Sequence, residues 1–142
     1  MILIDTNVVS EPLKASGNPN VRAWFDAQAI ETLYLSTISL AELRFGIAVL
    51  PDGKRRELLQ TSLETRVVPL FAGRILAFDE PASQSYARLR AGARATGIAI
   101  APADGYIAAI AATHGFAVAT RDIQPFEAAG VVVINPWTWQ AH

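Results

Sequence analysis

The sequence predicts a three-layer α/β fold with a mainly parallel central sheet. Short apolar runs alternate along the chain with longer segments whose apolar residues recur at helical spacing, which is the pattern of successive βα units. The runs lack the polar and apolar alternation of a half-exposed strand, so both faces of the sheet are expected to be covered. Hydrophobic residues make up 51% of the chain, enough for a large buried core.

Length and composition narrow the possibilities further. The 142 residues suit one domain spanning the whole chain, 1–142. The chain has no cysteine, which excludes thiolate metal sites and cysteine nucleophiles and suits a cytoplasmic location. Neither a basic leader nor an uninterrupted apolar span is present, so a soluble protein without membrane contact is expected. The formal net charge of −1 gives only weak long-range attraction to nucleic acid.

The first segments predict a buried strand followed by two helices. Ile2–Ile4 is a continuous apolar run, as in a central parallel strand. A short helix over Val8–Lys14 should end at the Ser-Gly-Asn-Pro breaker that follows. A second helix, Asn20–Ala27, places Trp24 and Phe25 on one side, where core packing is the expected role.

The second βα unit begins at the apolar strand Leu33–Ser36. Thr37 or Ser39 is the expected cap of the next helix, which carries an apolar stripe for packing on the sheet. Gly46 lies inside that helix, where glycine costs about 1 kcal/mol relative to alanine. We therefore expect something else to approach Gly46 closely.

A Pro-Asp-Gly breaker precedes a polar helix over Lys54–Thr65. Arg74–Phe78 is a candidate third strand, and a long helix is expected over Ala82–Thr96. Arg90 and Arg94 lie one turn apart on it, so they form either a phosphate-binding stripe or a solvated face.

The last part of the chain repeats the pattern. An alanine-rich helix from about Pro102 should end at Gly115, a residue type that often follows helices. The strand Phe116–Thr120 follows, then a turn through Phe126, then the final strand Val131–Ile134.

Four carboxylates are expected at one edge of this sheet. Asp5 and Asp122 follow strands directly, Glu42 lies near the start of a helix after a strand, and Asp104 begins a crossover helix. In parallel α/β sheets these positions share the edge where strands end and ligands bind. Each acid also has a structural alternative, as a helix cap or a turn residue.

Gathered acids repel one another and raise one another's pKa unless a cation lies among them. An all-oxygen cluster prefers a hard ion, so Mg²⁺ or Mn²⁺ is the expected cofactor and phosphodiester hydrolysis the expected reaction. Thr6, Asn7 and Thr120 are the candidates for orienting the ligands. His114 and His142, the only histidines, are not expected to be catalytic.

These motifs resemble those of PIN-domain proteins. The resemblance covers nearly the whole chain. Within the family, the chain resembles the VapC toxins of VapBC toxin–antitoxin pairs, and among those the FitB-like branch. It is carried by four stretches in this order: Ile4-Asp5-Thr6-Asn7, Ala41-Glu42-Leu43 with Gly46, Asp104-Gly105-Tyr106-Ile107, and Thr120-Arg121-Asp122.

The resemblance implies a PIN-like fold and a metal-dependent ribonuclease with Asp5, Glu42, Asp104 and Asp122 as its acidic site. It also implies a homodimer, and a small VapB- or FitA-like antitoxin that blocks the site and alone contacts operator DNA. Many relatives carry Asn at the position of Asp122, so whether that acid binds metal directly or through water stays open.

Other schemes fit less well. A phosphoaspartyl phosphatase would need an acid where Asn7 stands, and a receiver domain would need a late lysine, whereas the only lysines are Lys14 and Lys54. A dinucleotide-binding fold would need a glycine-rich first turn. The remaining alternative is a PIN module that acts mainly as the antitoxin-binding half of a DNA-bound repressor complex.

Overall fold

A computed structural model describes residues 1–140 and shows a five-stranded sheet whose paired strands are all parallel. The strand order is β3-β2-β1-β4-β5, which places the first strand of the chain at the centre. The strands are β1 (Ile2–Ile4), β2 (Leu33–Ser36), β3 (Ile75–Leu76), β4 (Ala117–Ala119) and β5 (Val133–Ile134). The predicted parallel α/β architecture is confirmed.

Helices follow the strands in sequence. Their bounds are α1 (Thr6–Val9), α2 (Pro19–Ala27), α3 (Thr37–Ala48), α4 (Lys54–Ser62), α5 (Val68–Leu70), α6 (Glu80–Ala95), α7 (Pro102–His114) and α8 (Ile123–Ala128). Within the described residues 1–140, no helix combines the length and the apolar character that a membrane crossing requires.

Two apolar clusters cover the two faces of the sheet. In β1, Leu3 packs into one cluster with the α6 and α7 side chains, and Ile4 packs into the other with Trp24 of α2. Alternate residues of a strand point to opposite faces, so a run of apolar residues without alternation serves both clusters. Trp24 is only 1% exposed, which confirms its predicted place in the core.

Two helix starts differ from the prediction. α1 begins at Thr6 and ends at Val9, and Glu11–Leu13 forms a separate tight turn, so the predicted helix Val8–Lys14 is wrong in extent. The cap of α3 is Ser36, whose hydroxyl accepts a hydrogen bond from the Ser39 backbone amide, rather than Thr37 or Ser39. In both cases the helix starts directly where its strand ends.

The predicted turn through Phe126 is instead the short helix α8, and Phe126 is fully buried within it. Only six residues long, α8 shows little periodicity in the sequence. The predicted helix Lys54–Thr65 ends early, because the backbone widens into a π-type turn over Leu63–Val67.

Candidate active site

Asp5 anchors a polar site at the carboxyl edge of the sheet. It follows β1, is 5% exposed, and caps α1, since its Oδ1 accepts a hydrogen bond from the Thr6 backbone amide at 2.8 Å. Its Oδ2 accepts a second bond from the Thr120 hydroxyl at 2.7 Å. Two donors on separate segments therefore fix the orientation of this carboxylate.

Thr120 follows β4 and is completely buried. Besides donating to Asp5, its Oγ1 accepts a hydrogen bond from the Asp122 backbone amide at 2.9 Å. It also lies 3.5 Å from the side-chain nitrogen Nδ2 of Asn7. The Asn7 side-chain oxygen accepts from the Arg121 backbone amide at 3.3 Å. This network joins the ends of β1 and β4 and positions the segment that carries Asp122.

Glu42 approaches the site from the second turn of α3. Its Oε1 accepts a hydrogen bond from the Thr6 hydroxyl at 2.8 Å, and the same hydroxyl lies 2.9 Å from the Ser39 Oγ. Thr6 therefore links Glu42 to the residue that follows Asp5. Ser39, which is fully buried, was named from sequence only as a possible cap, so its position beside Thr6 was missed.

Asp104 lies in the first turn of α7, half-buried, and the other acids act on it electrostatically. Burial raises the pKa of Asp104, and the negative charges of Asp122 and Glu42 raise it further. Asp5 in turn experiences the charges of Asp104 and Glu42. Four acids from four separate parts of the sequence thus lie near enough at this edge for their charges to influence Asp5 or Asp104, and Glu42 and Asp122 are exposed to solvent.

Burial and repulsion together raise the pKa of Asp5. Its pKa is raised from 3.8 to about 6, chiefly by burial, while the hydrogen bonds from Thr120 and Thr6 lower it and repulsion by Asp104 and Glu42 adds smaller increases. The predicted mutual repulsion is present, but the main cause is that a carboxylate at the end of a central strand has lost most of its water.

The donor chemistry of the site suits a hard cation, because every candidate ligand is a carboxylate oxygen. Between residues 1 and 140, no three acidic or histidine side chains are arranged closely enough to hold a metal ion as they stand. Glu42 and Asp122 are exposed, whereas Asp5 is buried and held by two hydrogen bonds. The roles of these four residues in metal binding and catalysis stay predictions.

The remaining candidate residues lie at different distances from this site. Arg90 is half-buried and Arg94 exposed, both on α6, and the Arg90 side chain lies against the α7 residue that follows Asp104. His114 is exposed at the far end of α7, away from the acids on its first turn. His142 lies outside the described residues.

An apolar groove of about 980 Å³ begins beside Glu42 and runs between α3 and α4. Leu43, Ile47 and Leu58 are among the residues that line it. Gly46 also lines it, and among residues 1–140 a Cβ at Gly46 would meet no heavy atom within 4 Å. No described part of this chain makes the predicted close approach, and Gly46 borders the open groove.

The fold and the site together define an α/β protein that gathers acidic side chains from four segments at the carboxyl edge of a parallel sheet. Comparison with known proteins gives the same class: residues 2–131 match the PIN domain. The chain belongs to the PIN-domain family, and its relatives place it in the FitB-like branch of the VapC-type toxins.

Among these relatives, the VapC ribonuclease Y4jK of Sinorhizobium fredii is 61% identical over 137 residues, covering 96% of this chain and 98% of that protein. Toxin FitB of Neisseria gonorrhoeae is 54% identical, covering 96% of this chain and 99% of its own. A chain in the structure of FitAB bound to the IR36 DNA fragment superposes with a TM-score of 0.95 at 51% identity, covering 100% of this chain and 99% of that one.

Proposed function

We propose that this protein is a metal-dependent endoribonuclease toxin. One observation carries the proposal: at the sheet edge where α/β proteins bind ligands, the charges of Asp104 and Glu42 act on Asp5, and those of Asp122 and Glu42 act on Asp104. The relative named as a VapC ribonuclease, which shares 61% of its residues over nearly the full length, supports RNA as the substrate. An RNA substrate in turn supports action in the cytoplasm.

Asp5, Asp104, Glu42 and Asp122 are the residues that would hold Mg²⁺ or Mn²⁺. A divalent ion bound there would neutralise charge on a phosphodiester and supply an activated water. The raised pKa of Asp5 and of Asp104 supports this assignment, because a neighbouring cation favours the charged form that burial opposes.

The chain's own residues organise the site around the phosphodiester. The Thr120 hydroxyl and the Thr6 backbone amide hold the Asp5 carboxylate in one orientation, and the Thr6 hydroxyl directs Glu42 toward it. Asn7 binds the Arg121 backbone amide, which keeps the loop bearing Asp122 against β1. Such supporting contacts typically account for factors of 10–100 in metal affinity or activity.

We further propose that a small VapB- or FitA-like antitoxin neutralises the toxin and that any DNA contact is made through it. The structure of FitAB bound to DNA supports such a partner. The apolar groove beside Glu42 offers a surface on which a partner segment would also cover the acidic pocket. We also propose that the protein forms a homodimer, since two-fold dimers are the commonest symmetric oligomers.

The test is RNA cleavage by antitoxin-free protein, with a structured RNA and either Mg²⁺ or Mn²⁺. We expect wild type to cleave, chelation to stop cleavage, and Asp5→Asn to reduce the rate by roughly 100-fold or more, since a buried ligand and its charge are lost. Asp26→Asn on the exposed face of α2 is the matched control and should keep wild-type activity.

Equal activity of wild type and Asp5→Asn would point to a contaminating nuclease. Inactivity of both, with antitoxin binding retained, would overturn the enzymatic proposal and favour the repressor-complex module.

A further inference from the structure

A second groove lies on the other side of Asp104. It has a volume of about 660 Å³ and lies between the last turns of α6 and the segment leading to α7. We call it the Arg90 groove and define it by Tyr86, Arg90, Arg94, Ile98 and Ile100, which line it. Nothing in the site described above uses it.

The Arg90 groove and the acidic pocket share a wall. Gly105 directly follows Asp104, and a Cβ at Gly105 would lie 3.0 Å from Tyr86 Cε2 and 3.2 Å from Arg90 Cδ. Tyr106 stacks on Tyr86 with ring centroids 4.8 Å apart. The backbone that carries Asp104 is therefore packed directly against the side chains of the groove, and a larger residue than glycine would need Tyr86 and Arg90 to shift.

The arginine nearest the pocket is held in place. The Arg90 guanidinium donates a hydrogen bond to the Tyr86 hydroxyl at 2.6 Å and lies over the Tyr86 ring, 5.3 Å from its centroid. A purely solvated arginine needs no such support. Because the side chain is already ordered before a ligand binds, less conformational entropy is lost on binding.

The charge of the Arg90 groove is not neutralised by the protein. Among residues 1–140, neither Arg90 nor Arg94 forms an ion pair, and the groove is lined by no carboxylate. Arg90 and Arg94 lie one helical turn apart on α6. Their planar forks match phosphate oxygens, and repulsion between them is relieved when an anion binds.

We infer that the Arg90 groove binds backbone phosphates of the RNA strand beside the bond that is cut at the acidic pocket. The inference rests on the proposed ribonuclease function, because it describes where the RNA substrate of that activity lies relative to Asp104. The strand then lies across the shared wall, with its phosphates at Arg90 and Arg94 and the reacting bond near Asp104.

The experiment measures binding of a fluorescein-labelled, mixed-sequence single-stranded RNA to antitoxin-free full-length protein over a range of salt concentrations, with chelator present to prevent cleavage. The test variant is Arg90→Gln with Arg94→Gln. The control variant is Arg66→Gln with Arg88→Gln, which removes the same charge at exposed positions outside the groove.

We expect the slope of log affinity against log salt to become shallower by about 1.4 in the test variant, because each phosphate contact to a single strand contributes about 0.7. The control variant should keep the wild-type slope. In cleavage assays the test variant should raise KM more than it lowers kcat, which is the effect of lost substrate binding.

Equal slopes in the test and control variants would overturn the inference. A change in the sedimentation coefficient of the test variant alone would also overturn it, because such a change would show that the groove forms a contact between subunits. Failure of the proposed function is distinguishable, because wild type would then cleave no RNA with either metal, whatever the salt dependence of binding.

Discussion

Asp5 is both a helix cap and a buried carboxylate. Sequence alone left the choice between a helix cap and a functional acid open. The structure shows the cap, through the Thr6 amide, and also shows a carboxylate with most of its surface removed from water. The same position at the end of a central strand produces both.

The raised pKa of Asp5 predicts a pH dependence of stability in the metal-free protein. Below about pH 4 the carboxyl is protonated in the folded and unfolded states alike. Between the ordinary pKa of 3.8 and the folded pKa of about 6, only the unfolded chain gives up the proton, so the free energy of unfolding falls as pH rises. Above pH 6 the loss levels off, at about 3 kcal/mol.

Urea unfolding between pH 4 and pH 8 in the presence of chelator measures this effect as the difference between wild type and Asp5→Asn. That difference should decline through pH 4–6 and then level off, whereas the difference between wild type and Asp26→Asn should stay nearly flat over the same range. A flat Asp5→Asn difference would show that the buried carboxyl keeps its ordinary pKa.

At the scale of elements, α8 ties the loop after β4 to the core. It follows Asp122 directly, and its Phe126 is completely buried in the cluster on the α7 face of the sheet. The position of Asp122 therefore depends on an apolar contact as well as on the hydrogen bond to Thr120.

Phe126→Ala should lower the free energy of unfolding by about 3–5 kcal/mol, because it leaves a cavity in a closely packed cluster. Urea denaturation of the purified protein measures the change. Val132→Ala is the control, since Val132 is 70% exposed and its truncation should cost less than about 0.5 kcal/mol. Similar losses in the two variants would show that α8 does not pack as described.

At the scale of the whole molecule, the proposed metal binding would be coupled to folding. Its carboxylates come from the ends of β1 and β4 and from α3 and α7, and they are close only in the folded chain. A cation that binds them binds the folded state alone and stabilises it.

Calorimetry should therefore show a rise in Tm when Mn²⁺ is added at pH 7.5. At a concentration about 100 times Kd the stabilisation is about 2.7 kcal/mol, or several degrees for a chain of this size. Asp5→Asn with Asp104→Asn should lose the response, and Asp26→Asn should retain it. An equal rise in all three proteins would place the bound ion elsewhere.

The sequence by itself determined the parallel α/β architecture, the strand β1 to the residue, and the edge at which Asp5, Glu42 and Asp104 would meet. Continuous apolar runs and helical periodicity are local patterns, and chain connectivity in parallel sheets fixes the edge at which strands end. These features follow from properties of neighbouring residues, so one sequence is enough to predict them.

Tertiary structure alone decided the rest. It placed Ser39 beside Thr6, made α8 a helix, left Gly46 facing open space, and joined the Arg90 groove to Asp104 through Gly105. It also made burial rather than repulsion the main cause of the raised pKa of Asp5. Each of these outcomes depends on contacts and desolvation between segments that are distant in sequence, and no local pattern encodes such distances.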